Sequence, residues 1–167
     1  MDNLQGICAR CHKAKTASES GRGSTHPEWL PKPACDVVLV TGPPGAGKTT
    51  WCEAQAKKHD VVIDLDQCFL EVSGKHGHEA DRSYLDAALR LRNAKIADLA
   101  SKATGTAYLI VGEPTATRVK WWMEKLGATH KLVDPGIDVC LSRTHGKRAE
   151  AVRAWYARRT YLETVQG

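Results

Sequence analysis

The sequence predicts an α/β fold, a parallel sheet covered by helices on both faces, and three observations predict it. Short runs suited to buried strands recur along the chain: Val37–Val40, Val61–Ile63, Ala107–Val111 and His130–Val133. Segments with apolar residues at helical spacing separate these runs, which is the order that builds βαβ units. A glycine-rich turn joins the first run directly to the first of those segments. In sheets of this kind ligands gather at the carboxyl ends of the strands.

The elements follow in order. Residues 1–33 are set apart by composition as an N-terminal fragment and a proline-rich linker, and residues 34–167 form the main domain. Pro27, Pro31 and Pro33 exclude helix or central strand there, and Trp29 and Leu30 are expected to pin the linker to the domain. The first strand leads through the glycine turn into a helix from Thr50 to Lys58. The second strand ends in Asp64-Leu65-Asp66. A long helix is expected from Glu79 to Ala103, with Leu85, Leu89, Ile96 and Leu99 on its apolar stripe. Arg92 interrupts that stripe and reads as a snorkelling side chain. The third strand runs into Gly112-Glu113-Pro114 and a helix that Gly127 ends. After the fourth strand come helices from Ile137 to Ser142 and from Arg148 to Thr164.

Bulk properties narrow the classes. The chain has 167 residues, 42% hydrophobic and 26% charged, as expected of one domain able to bury a core. No apolar run approaches the roughly 18 residues of a membrane span, so no membrane partner is expected. The polar N-terminus does not read as a secretory signal, and a cytoplasmic location is the default expectation. A net charge of +5 permits a polyanionic partner without requiring one. Of six cysteines, Cys35, Cys52, Cys68 and Cys140 sit in or beside apolar segments and read as small buried hydrophobes.

The glycine turn carries the clearest chemistry. Gly42-Pro43-Pro44-Gly45-Ala46-Gly47-Lys48-Thr49, followed by Thr50, is a P-loop in its required strand-and-helix context. Glycines let backbone N–H groups turn inward around phosphate, and the helix start adds unpaired donors at a positive dipole end. Lys48 suits the terminal phosphates of ATP or another nucleoside triphosphate, and the Thr49 hydroxyl suits Mg²⁺.

Other residues fall at the same sheet edge. Asp66 is a candidate general base for an attacking hydroxyl, and Asp64 a candidate on the substrate side. Either also suits a helix cap or turn. If the segment is extended, both side chains point the same way. Glu113 suits an Mg²⁺-bound water or a substrate contact, or a helix N-terminus just before Pro114. Arg143 and Arg148 bracket a turn, with Gly146 and Lys147, that reads as a mobile lid over triphosphate. Arg153, Arg158 and Arg159 read mainly as a solvated face. Trp121 and Trp122 suit buried packing better than base stacking.

From Val37 to about Tyr161 the chain resembles the phage-type polynucleotide 5′-hydroxyl kinases, within the adenylate-kinase-like P-loop group. The likeness rests on the GPPGAGKT loop, Asp66, the His130–Asp134 stretch, Leu141-Ser142-Arg143, Gly146-Lys147-Arg148 and Trp155-Tyr156. It implies a three-layer P-loop kinase fold, with Asp66 as the base and Arg143 and Arg148 on the ATP phosphates. One position departs: the family's arginine three residues after that aspartate is Phe69 here. Either Lys75, Arg82 or Arg118 then supplies the cation, or the acceptor is different.

The N-terminus resembles the last third of an HNH endonuclease, through Asn3-Leu4-Gln5, Cys8-x-x-Cys11-His12 and Lys15-Thr16-Ala17. The likeness implies a zinc-finger-like remnant in which Cys8 and Cys11 are half of a Zn²⁺ site. A closed site needs four ligands, which another chain would have to complete. The expected function is ATP- and Mg²⁺-dependent phosphoryl transfer to a hydroxyl of nucleic acid, a 5′ end foremost. The alternatives are a kinase of nucleosides, nucleotides or other small metabolites, and an ATP-binding module serving an HNH nuclease.

Overall fold

The computed structural model describes residues 23–77 and 79–161. Four strands, β1 (Asp36–Thr41), β2 (Val61–Asp64), β3 (Thr106–Val111) and β4 (Thr129–Leu132), form one sheet in the order β2-β3-β1-β4. Every neighbouring pair is parallel. The register pairs Thr41 with both Val111 and Leu132, and Asp64 with Ile110, so all four strands end along one edge.

Among the described residues six helices join or follow the strands: α1 (Lys48–Gln55), α2 (Leu65–Ser73), α3 (Leu85–Asp98), α4 (Ala116–Leu126), α5 (Ile137–Ser142) and α6 (Gly146–Arg158). Alternation along β1 divides the core. Val37 and Leu39 join Ile96 and Leu99 from α3 and its end, and Trp122 and Leu126 from α4, on one face. Val38 and Val40 meet Trp51 and Cys52 of α1 on the other. This is the parallel, helix-covered sheet that alternating strands and helices predicted.

Several boundaries differ from expectation. The segment after β2 turns helical at Leu65, because the Asp64 carboxylate caps α2 by accepting from the Asp66 N–H at 3.1 Å. Leu65, Cys68, Phe69 and Val72 then repeat at helical spacing and pack as one cluster with Ala88 of α3. Helix α1 starts at Lys48 rather than Thr50. The long helix expected from residue 79 is shorter, since Asp81 caps a single 3₁₀ turn, Arg82–Tyr84, before α3 begins. It also ends in a 3₁₀ turn at Leu99–Ser101. Helix α6 stops at Arg158 rather than Thr164, and Arg159 leaves the solvated face to donate to Asp134 at 2.8 Å.

The linker is more deeply built in than its prolines suggested. Pro27 and Leu30 are buried, whereas Trp29 stays 42% exposed and is not the pin expected of it. Arg92 does not snorkel: it is only 5% exposed. It donates to the carbonyls of Ser24 at 3.3 Å and Thr25 at 3.0 Å, and to Asn93 Oδ1 at 2.9 Å. Its guanidinium also lies 5.3 Å from the Trp122 ring centre. Burial lowers its pKa to about 10, so it stays charged at neutral pH. Arg92→Ala would remove the donor to the Thr25 carbonyl, leave the Ser24 carbonyl only the Asn93 amide at 2.8 Å, and empty a buried site, and urea titration is expected to show a loss of about 2–4 kcal/mol.

Cys52, Cys68 and Cys140 are buried, as expected, and Cys35 is partly so. Trp122 is fully buried and Trp121 packs against it edge-on, with ring centres 5.0 Å apart. Among the described residues no helix is long and apolar enough to cross a membrane.

Candidate functional site

The loop between β1 and α1 is shaped by close approaches that only glycine permits. Gly42 sits at φ 155°, and a Cβ there would stand 2.2 Å from the Val133 carbonyl oxygen. Gly45, at φ 76°, would drive a Cβ to 3.1 Å from the Cys140 carbonyl oxygen. The loop therefore nests between the end of β4 and helix α5. Lys48 folds back across it, donating to the carbonyls of Gly42 at 2.9 Å and Pro43 at 2.8 Å.

A cavity of about 780 Å³ opens beside this loop, lined by Gly45, Ala46, Gly47, Lys48, Thr49 and Thr50. Asp64 and Asp66 line it from β2 and α2, and Arg143 and Arg148 from the α5–α6 corner. Six of the nine expected loop residues thus face the cavity. Gly42, Pro43 and Pro44 do not line it; they form the rear of the loop, and the prolines have no N–H to offer an anion. The first helical turn of α1 supplies N–H groups without intrahelical acceptors.

The acids divide by environment. The Thr49 hydroxyl donates to Asp64 Oδ2 at 3.2 Å, while Asp64 Oδ1 caps α2. Burial pushes the Asp64 carboxyl above its ordinary range, and the neighbouring Asp66 charge adds to the shift. Thr49 and Asp64 form the hard-oxygen pair that suits Mg²⁺. Asp66 is exposed on the first turn of α2. Lys48 is pushed down to about 8, mainly by burial, against the opposing pull of Asp64 and Asp66.

The α5–α6 connection, expected as a lid from its composition, is short. Only residues 143–145 separate the helices, and Thr144, 4% exposed, anchors the corner by donating to the Cys140 carbonyl at 2.9 Å. Arg143 reaches the loop, donating to the Gly45 carbonyl at 3.1 Å.

Two expected site residues lie elsewhere. Glu113 is outside the cavity, on the sheet face that α4 covers, where it accepts from Trp122 Nε1 at 3.4 Å and pairs with His26 Nε2 at 2.6 Å. There it borders a smaller cavity of about 210 Å³ with Thr41, His130 and Arg159. Arg118 is exposed on α4 and lines neither cavity.

Trp51, Ala54, Ile110 and Val133 line the main cavity without having been singled out from sequence. The Lys131 ammonium lies 5.5 Å from the Trp51 ring centre. Helical spacing from the loop was the available signal, since Trp51 stands three positions after Lys48 and Ala54 four after Thr50.

A loop of amides, a lysine, a hydroxyl beside a carboxylate and two arginines around one cavity suit a nucleoside triphosphate and little else. The sequence matches a family model described as an AAA domain over residues 37–152. The chain belongs to this AAA-domain family. Membership of this P-loop NTPase-like kinase family supports nucleotide (ATP) binding by the chain. The AAA-domain match begins at the first strand and leaves residues 1–36 outside it. No curated protein matches the sequence. Cys8 and Cys11, expected as Zn²⁺ ligands, and the other residues that carry the HNH resemblance lie outside the described residues. Among the described residues no group of three or more His, Cys, Asp or Glu is placed to hold a metal ion.

Proposed function

We propose that the chain transfers the γ-phosphoryl group of ATP to a hydroxyl of nucleic acid, a 5′-hydroxyl end. The observation that carries this reading is the position of Asp66. An exposed carboxylate shares one cavity with the P-loop lysine and two arginines. In this reading Asp66 accepts the proton of the incoming hydroxyl, and the γ-phosphoryl group passes to the resulting oxygen. Lys48, Arg143 and Arg148 offset the charge that gathers on the transferring group. Thr49 and Asp64 would hold Mg²⁺, which would supply charge neutralisation on the triphosphate. The net charge of +5 is compatible with a polyanionic acceptor.

The test is transfer of label from γ-labelled ATP to a 5′-hydroxyl oligonucleotide in the presence of Mg²⁺. Labelled oligonucleotide, formed at a rate that falls steeply with salt, supports the reading. ATP hydrolysis stimulated by DNA, with no labelled acceptor, would instead identify a nuclease-associated ATP-binding module. Thr49→Val is expected to weaken Mg²⁺-dependent ATP binding about 10–100-fold and leave metal-free binding unchanged, as read by calorimetry.

One observation favours a second reading, a kinase of nucleosides or other small metabolites. Phe69, where the resemblance expects an arginine, is only 4% exposed and packs with Cys68 and Ala88. It offers an acceptor phosphate nothing. Lys75 and Arg82 are exposed on the segment between α2 and α3. A substrate panel that labels a nucleoside, insensitive to salt, would select this reading.

A further inference from the structure

We propose that Gly77 is a positioning residue that directs the Asp66 carboxylate into the cavity. The inference rests on Asp66 being the general base. Among the described residues no hydrogen bond holds that carboxylate; only the Asp66 backbone N–H is engaged, by Asp64. The side chain is exposed, so only the groups standing beside it limit its direction. A Cβ built on Gly77 would stand 2.3 Å from Asp66 Oδ1, 3.4 Å from Asp66 Cγ and 3.1 Å from Phe69 Cδ2. The bare Cα of Gly77 thus lies against the carboxylate, with the Phe69 ring beside it.

The surroundings leave the carboxylate as the part that must move if a side chain is added. The Gly74 N–H closes α2 by donating to the Leu70 carbonyl at 2.8 Å. Ser73 Oγ donates to the Phe69 carbonyl at 2.6 Å and accepts from the Lys75 N–H at 3.1 Å. Beyond the turn, the His76 carbonyl accepts from Glu79 N at 2.9 Å and Ala80 N at 2.8 Å. The first arm is tied to α2, the Phe69 ring is fixed in its cluster, and Asp66 Oδ1 ends a flexible side chain. Gly77 is not among the glycines with positive φ, so alanine meets no backbone strain there. Glycine is needed at 77 for the close approach, in contrast to Gly74, whose φ of 75° needs it for conformation.

The experiment compares Gly77→Ala, Asp66→Asn and the double variant in full-length protein, measuring phosphoryl transfer, KM for ATP and thermal midpoint. The inference expects Gly77→Ala to lower kcat about 10–100-fold, the scale of an ångström-level misplacement, with KM for ATP and midpoint unchanged. In the Asp66→Asn background the added alanine should have no effect. A Gly77→Ala enzyme with normal kcat, beside an inactive Asp66→Asn enzyme, overturns the positioning role and leaves the base assignment standing. A drop in midpoint or a rise in KM for ATP alongside the loss of kcat overturns it too, because the loop is then merely structural. Full activity in Asp66→Asn removes the base and this inference together. Should no acceptor be labelled at all, a crystal structure of Gly77→Ala decides the steric claim: an unmoved carboxylate contradicts it.

Discussion

Asp66→Asn is expected to cut phosphoryl transfer about 10²–10⁴-fold while leaving KM for ATP within about twofold, the range for removing a positioned base. The exchange keeps shape and removes only the ability to take a proton. The α2 cap should survive it, because the capping carboxylate belongs to Asp64 and Asp66 contributes only its backbone N–H. Asp64→Asn provides the contrast. It weakens the carboxylate that Thr49 contacts at 3.2 Å, so its loss should appear in the Mg²⁺ requirement. Steady-state kinetics with Mg²⁺ varied separates the two acids.

Lys48→Met is expected to reduce transfer about 10²–10³-fold, comparable to removing a donor aimed at developing negative charge. The same change is expected to stabilise the nucleotide-free protein. In the folded chain Lys48 falls from 10.5 to about 8 because burial disfavours its charge. Between those values the unfolded chain holds a proton that the folded chain lacks, so this lysine's penalty shrinks as pH rises from 8 to 10.5. Below pH 8 the penalty is fully present. Removing the ammonium should therefore raise stability at pH 7 by roughly 1–3 kcal/mol, discounted for its partial contact with water. The advantage of Lys48→Met over the parent should fade as pH climbs above 8. Triphosphate favours the charged lysine, so ATP affinity of the parent should also decline above pH 8. Denaturation midpoints and calorimetric titrations across pH 6–10 read both trends.

The sheet was legible because three of its strands are short apolar runs rich in Val and Ile, and the P-loop because glycine spacing and lysine fix its chemistry. Helix α2 was not legible as a helix. Asp64-Leu65-Asp66 reads equally well as strand end or cap, and only tertiary packing of Leu65, Cys68 and Phe69 against α3 decides it. Arg92 was misread for a related reason. A cation on an apolar stripe usually snorkels, but here the carbonyls of Ser24 and Thr25, 68 and 67 positions away, supply acceptors that no local pattern reveals. Glu113 lies two residues beyond β3 rather than at its end, and it meets His26 and Trp122 instead of the phosphate cavity. The α5–α6 corner was recognised for its arginines, but the buried Thr144 hydroxyl bond that anchors it is invisible in composition.

The most direct test is a crystal structure with Mg²⁺ and a non-hydrolysable ATP analogue. The account predicts β- and γ-phosphates on the amides from Gly45 to Thr49, with Lys48 drawn off the Gly42 and Pro43 carbonyls onto phosphate. It also predicts the Asp66 carboxylate facing the γ-phosphate across a gap wide enough for a hydroxyl. Phosphates bound away from that loop, or a carboxylate turned to solvent with nucleotide in place, would contradict it.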